Sequence, residues 1–104
     1  MNSREAKRLW RESIHRAWGH RCAFCDGRPV ENEPLTIDHV KPKSKGGEDR
    51  TANCVSCCKR CNRSKGNRHW VEWYREQDFY SEWREVEIRH WLNSGEVPGM
   101  DEVA

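Results

Sequence analysis

The chain has 104 residues, enough for one domain. Leu, Ile, Val and Phe together number 15, about 14 %, too few for a large-core enzyme of the doubly wound type. A net charge of only +2 and six Trp speak against disorder, and no apolar run approaches the roughly 18 residues of a membrane span.

Charge is uneven along the chain: residues 1–69 carry net +8 and residues 70–104 net −6. A basic body points to a polyanionic partner. Met1-Asn2-Ser3-Arg4-Glu5 lacks the apolar stretch of a secretory signal, so the expected setting is the cytoplasm, without membrane contact. Thiols there stay reduced, and cysteines at short spacings then read as metal ligands before disulfides.

The first predicted element is a helix over residues 3–19, capped by Ser3 and closed by Gly19. Ala6, Leu9, Trp10, Ile14, Ala17 and Trp18 form its apolar stripe, and Arg4, Lys7, Arg8, Arg11 and Arg16 its basic face. After a turn-rich stretch from His20 to Pro34, Leu35 to Val40 reads as a strand limited by Pro42. Lys43 to Asp49 reads as a flexible loop, and Asn53 to Cys57 returns as a second strand. A basic helix is expected from Lys59 to about His69, although Gly66 weakens it. Residues 70–93 repeat aromatics at helical spacing among acidic residues, with a break near Asp78-Phe79 and a cap at Ser81. Asn93-Ser94-Gly95 and Pro98-Gly99 end the helices, and a loose tail is expected beyond.

Cys22-Ala23-Phe24-Cys25 and Cys58-Lys59-Arg60-Cys61 are two CxxC pairs. A two-residue gap sets both sulfurs of a knuckle at tetrahedral ligand spacing, with zinc–sulfur bonds near ~2.3 Å. Cys22, Cys25, Cys58 and Cys61 are therefore the expected ligands of a structural zinc, a closed shell that holds the fold rather than reacting. Cys54 and Cys57 make a third CxxC, but strand positions three apart face opposite sides, so both read as small buried hydrophobes.

Between and after the knuckles lie chemically distinctive residues. His39 belongs to the one side-chain class that ordinarily titrates near ~6.5, suited to taking a proton from water. Asp38 offers a hard oxygen to Mg²⁺ or Mn²⁺, and Asn62, directly after the last knuckle cysteine, offers an amide oxygen. Adjacent strand residues face opposite ways, so a bend or bulge is expected where Asp38 and His39 meet one phosphate. His15, His20, His69 and His90 are assigned no role.

The string Asp38-His39-Val40-Lys41-Pro42-Lys43-Ser44-Lys45-Gly46-Gly47, then Asn53, then Cys58-x-x-Cys61-Asn62-x-x-Lys65 resembles the HNH endonucleases, in their zinc-stapled branch. The resemblance covers about residues 20–68, and by its letters this is an HNN variant. It implies a ββα-metal (His-Me finger) core in an α+β fold, with one N-terminal helix and further C-terminal helices around it. It implies a metal-dependent endonuclease that nicks DNA, or cuts both strands when paired. Asp38 and Asn62 would hold the catalytic divalent metal, His39 would be the general base, and Asn53 would brace the loop and the base. The unit of this family lies against the minor groove with one phosphate in its site. Small members occur in phages, some beside a packaging motor, others as restriction-like or homing enzymes.

Lys41, Lys43, Lys45, Arg60, Arg63, Lys65 and Arg68 are expected to meet phosphate oxygens, which carry no base information, so little sequence specificity is expected. The aromatic segment over residues 70–93 is expected to pack on the first helix against Trp10 and Trp18. A dimer or partner surface and the stacking of unpaired bases are its other readings. The chain thus reads as a single domain over 1–104, with its core over residues 20–69. The reading from a different class is a zinc-dependent nucleic-acid-binding or adaptor module without cleavage.

Overall fold

In a computed structural model of the chain, the structure describes residues 2–29 and 33–97. Helix α1 spans Ser3–Ala17. Its cap is Asn2 rather than Ser3: the Asn2 carboxamide accepts from the Glu5 amide at 2.8 Å, leaving Ser3 inside the first turn. The helix ends at Gly19, whose φ of +67° is open to glycine without cost. Only the C-terminal half of the apolar stripe is used. Ile14 is buried and Trp10, Ala17 and Trp18 pack against the core, whereas Ala6 and Leu9 remain exposed.

Strand β1 covers Thr36–His39 and strand β2 covers Cys54–Cys57, paired antiparallel with His39 opposite Cys54. The strand is shorter at both ends than the apolar letters from Leu35 to Val40 imply. The ladder runs unbroken through Asp38 and His39, so the expected bulge is absent among the described residues. The loop between the strands is built, not loose. Lys43–Lys45 and Thr51–Asn53 each form a 3₁₀ turn, and the Asn53 carboxamide ties the two arms together. Its oxygen accepts from Lys41 N at 2.9 Å, and its nitrogen donates to Lys41 O at 3.1 Å and Glu48 O at 3.0 Å.

Gly47 is required by this closure. A methyl group there would sit 1.8 Å from Lys41 O and 2.9 Å from Pro42 O, both backbone atoms that cannot swing away. Gly47→Ala is expected to cost at least about 1–3 kcal/mol and to break the Asn53 brace. Urea denaturation, and loss of the Asn53 side-chain amide protection in NMR, would report it.

Helix α2 spans Lys59–Lys65 and stops at Gly66, whose positive φ of 54° ends it well before His69. Helices α3, Trp70–Arg75, and α4, Glu82–Ser94, follow, with the Ser81 hydroxyl accepting from Arg84 N as expected. Pro98-Gly99 and the tail lie outside the described residues. Among the described residues no helix is long and apolar enough to cross a membrane.

The aromatic side chains fill a thin core and also secure it with their polar tips. Tyr74 OH donates to Phe24 O at 2.8 Å, Trp91 Nε1 to Cys54 O at 2.8 Å, and Trp73 Nε1 to Ser64 Oγ at 2.9 Å. Trp18, just past the end of α1, meets Trp91 of α4 edge to face at 5.5 Å, while α1 itself lies mainly against β2 and α4 against the Thr51–Asn53 turn. Trp10 instead donates to Thr51 Oγ1 at 2.9 Å and fastens α1 to the interstrand loop. Among the described residues, no arginine of α1 forms an ion pair with the acidic segment; Arg84 reaches back to Asp26 at 2.7 Å.

Glu85 is the electrostatic centre of the C-terminal helices. It accepts from Arg75, Tyr80 and Arg89, and the Arg75 guanidinium holds its carboxyl down at about 2. A carboxyl depressed in the fold contributes stability above its ordinary range, near 4.5, and loses it as pH falls toward about 2. With both arginines half-exposed and screened by solvent, the contribution is expected to be no more than about 1 kcal/mol. The stability gap between wild type and Glu85→Gln, read in parallel urea titrations, should shrink as pH is lowered from 6 through that window.

Candidate active site and metal clamp

The first knuckle, residues 22–25, docks on the sheet because Ala23 N donates to Ser56 O at 2.8 Å. The second opens α2, where the Cys58 sulfur caps the helix by accepting from Cys61 N at 3.3 Å. The sulfurs of Cys22, Cys25, Cys58 and Cys61 all lie within 4.8 Å of one another, with Cys25 and Cys58 at 3.8 Å. A tetrahedron with bonds of ~2.3 Å has edges of ~3.8 Å, so the spacing suits a zinc-sized ion. Gly27 N also donates to Cys25 Sγ at 3.3 Å, a contact that favours a thiolate.

The electrostatics agree with the geometry. The close Cys25, Cys57 and Cys61 thiols draw Cys22 down, while Cys22 pushes Cys25 up to about 11 and Cys61 also upward. Four sulfurs this close cannot all ionise unless a cation lies among them. The cluster can thus hold a metal ion such as zinc. Cys54 and Cys57 are fully buried and lie outside it, and burial pushes Cys54 up to about 11.

The unbroken ladder sends Asp38 and His39 to different surroundings. Asp38 is 4 % exposed and faces α2, whereas the His39 ring sits at the rim, about a quarter exposed. His39 Nε2 is 2.6 Å from Asp49 Oδ1. Asp49 lies in the braced loop, and its other oxygen is 3.2 Å from Lys43 Nζ. Contact with His39, then with Lys43, holds the Asp49 carboxyl below its usual range.

Lys65 is a correction to the sequence reading. Its side chain is fully buried and cannot reach a phosphate. Lys65 Nζ donates to Asp38 Oδ1 and His39 O, both at 3.2 Å. It also lies 3.1 Å from Asp38 Oδ2, but off the hydrogen-bonding direction, so that oxygen is buried without a donor. The reason is positional. A seven-residue helix lying against β1 turns its last residue inward, and a buried carboxylate needs a cation. Burial raises Asp38 and the Lys65 charge works against that rise.

Lys65→Met would strand Asp38, and a loss of roughly 3–5 kcal/mol is expected. Asp38→Asn in the same chain should recover part of it; urea midpoints of the metal-loaded proteins decide.

Asn62 stands half-buried on α2. Thr36 Oγ1 gives its hydrogen to Cys57 O at 2.9 Å, so it can only accept from Asn62, through Nδ2 at 2.9 Å. The amide is thereby oriented, and its oxygen takes no hydrogen bond from the described residues. Lys41, Lys43, Lys45, Arg60, Arg63 and Arg68 are exposed, with Lys43 shared with Asp49 and Arg68 with Glu76. Asp49 escaped the sequence reading because nothing local separates it from the other charges of its loop. Only its spatial approach to His39 marks it.

Two antiparallel strands run into a short helix in a small α+β fold, with four clustered cysteines that can hold a metal and a histidine at the rim. Residues 22–68 match the family model described as HNH endonuclease, and that stretch belongs to the family. The chain is 34 % identical over 97 residues to a "CRISPR-associated endonuclease Cas9" of Corynebacterium diphtheriae, covering 89 % of this chain and 9 % of that protein. It is 36 % identical over 56 residues to the "CRISPR-associated endonuclease Cas9" of Actinomyces naeslundii, covering 53 % of this chain and 5 % of that one. It is also 30 % identical over 89 residues to "SPbeta prophage-derived putative HNH endonuclease YoqL" of Bacillus subtilis, covering 73 % and 36 %. The chain therefore spans a small part of each of these relatives.

Proposed function

We propose that this chain is a metal-dependent DNA endonuclease with His39 as general base and a structural zinc in the four-cysteine clamp. The observation that carries the reading is the match of this stretch to the HNH family together with a histidine at the rim of β1, whose ring nitrogen is engaged by a half-exposed carboxylate, and an oriented amide on the helix that follows β2. Asp38 and Asn62 are the residues that would hold a catalytic Mg²⁺ or Mn²⁺. The fit rests on hard oxygen donors, the buried and donor-free Asp38 Oδ2 and the oriented Asn62 amide, and it requires the Lys65 ammonium, 3.1 Å from Asp38 Oδ2, to give way to the ion. Such an ion, when bound, supplies charge stabilisation to the phosphate and the leaving oxygen.

The residues do the rest. A ring nitrogen of His39 takes a proton from water as the water oxygen forms its bond to phosphorus. The bond from phosphorus to the sugar oxygen breaks, and that oxygen receives a proton from solvent. Asn53 holds the loop opposite the ring. Lys41, Lys45, Arg60 and Arg63 steer and seat the phosphates, with Lys43 and Arg68 available by exchange of their carboxylate partners. Phosphate contacts of this kind favour little sequence preference. One unit addresses one strand, so a double-strand cut takes two.

A supercoiled plasmid with Mg²⁺ or Mn²⁺ tests the reading: nicked product with wild type and none with His39→Ala. Equal inertness of both proteins would leave a zinc-dependent binding module.

A further inference from the structure

Neither a rim histidine nor a braced loop explains why the imidazole would face its substrate with the correct nitrogen. The contact with Asp49 does. Asp49 Oδ1 lies 2.6 Å from His39 Nε2, and Asp49, half-exposed, is a carboxylate at neutral pH, with His39 and Lys43 holding its carboxyl lower still. A carboxylate only accepts hydrogen bonds. The hydrogen of the neutral ring therefore resides on Nε2, and Nδ1 carries a lone pair that no described residue engages.

We propose that Asp49 is the positioning residue for His39, fixing the ring so that Nδ1 takes the proton from water. This rests on the nuclease reading of the site. The carboxylate is itself oriented from two sides, by His39 on Oδ1 and by Lys43 Nζ at 3.2 Å on Oδ2. Its backbone is held one residue away, where Asn53 Nδ2 donates to Glu48 O, and by the close approach of Gly47 to Lys41 O. Asn53 thus reaches the base through Asp49: amide, loop, carboxylate, ring. The loop needs no movement for this, because the contact already exists.

The test uses the full chain, metal-loaded and ¹⁵N-labelled. Long-range ¹H–¹⁵N spectra recorded where the imidazole is neutral identify which nitrogen bears hydrogen. Wild type is expected to show His39 as the Nε2–H form, Asp49→Ala a mixture of both forms, and Asp49→Glu a return toward the first. Asp49 is half-exposed, so these variants should fold, and their melting curves verify it. In plasmid cleavage, Asp49→Ala should lose roughly 10–100-fold in kcat with little change in KM, and Asp49→Glu should recover part. The loss is smaller than the ~10⁴-fold seen for a buried triad aspartate, because water can partly replace an exposed carboxylate.

A wild-type ring protonated on Nδ1, or a tautomer and kcat untouched by Asp49→Ala, overturns the assignment. If the ring behaves as stated and wild type cleaves nothing, the nuclease reading fails while the Asp49–His39 orientation stands.

Discussion

Stripping the metal from the four-cysteine clamp is expected to unfold the chain. The core offers few large apolar side chains, and its two halves meet at the clamp: the first knuckle hangs from β2 by one backbone bond, and the second caps α2 with a sulfur. Binding free energies of ~10–16 kcal/mol are typical where four ligands gather in a small domain, which exceeds the whole stability of most such folds. Without the ion, nothing joins the four sulfurs that gather within 4.8 Å of one another, and the knuckles are expected to separate. Adding a strong chelator should abolish the cooperative thermal transition and most far-ultraviolet dichroism, and Cys58→Ser should behave the same way. An apoprotein melting cooperatively near the loaded value would refute the role given to the clamp.

Replacing His39 is expected to separate stability from activity. The ring is at the rim and its one protein partner is a half-exposed carboxylate, so His39→Ala should shift the melting temperature by no more than a few degrees. Loss of a general base costs typically ~10²–10⁴ in rate. Plasmid nicking by the variant should fall by that factor at unchanged DNA affinity, measured by anisotropy on a short duplex. A variant that nicks as fast as wild type would remove His39 from the chemistry; one that no longer binds DNA would place it in recognition instead.

Much of the clamp and the fold was legible in the letters because the signals are local. Two CxxC pairs flanked by turn formers read as knuckles, Ser81 and Gly95 cap a helix by their own chemistry, and the third CxxC, Cys54 and Cys57, lies in a strand and outside the four-sulfur cluster. The same locality misled in places. Asn2 outcompeted Ser3 for the cap by a one-residue shift, and the apolar stripe of α1 overstated its buried face, since nothing reaches Ala6 and Leu9.

By itself the sequence determined where metal can bind, which residue types stand beside the knuckles, and that aromatics must replace aliphatic bulk. Those are matters of spacing within a few residues. Only the tertiary structure decided that Lys65 is the inward partner of Asp38 rather than a phosphate contact, that β1 passes Asp38 and His39 without a bulge, and that Asp49 meets the ring. Each depends on how a helix or loop closes on a strand 10 to 27 residues away, and the cost of leaving a buried charge unpaired is felt only once those elements touch.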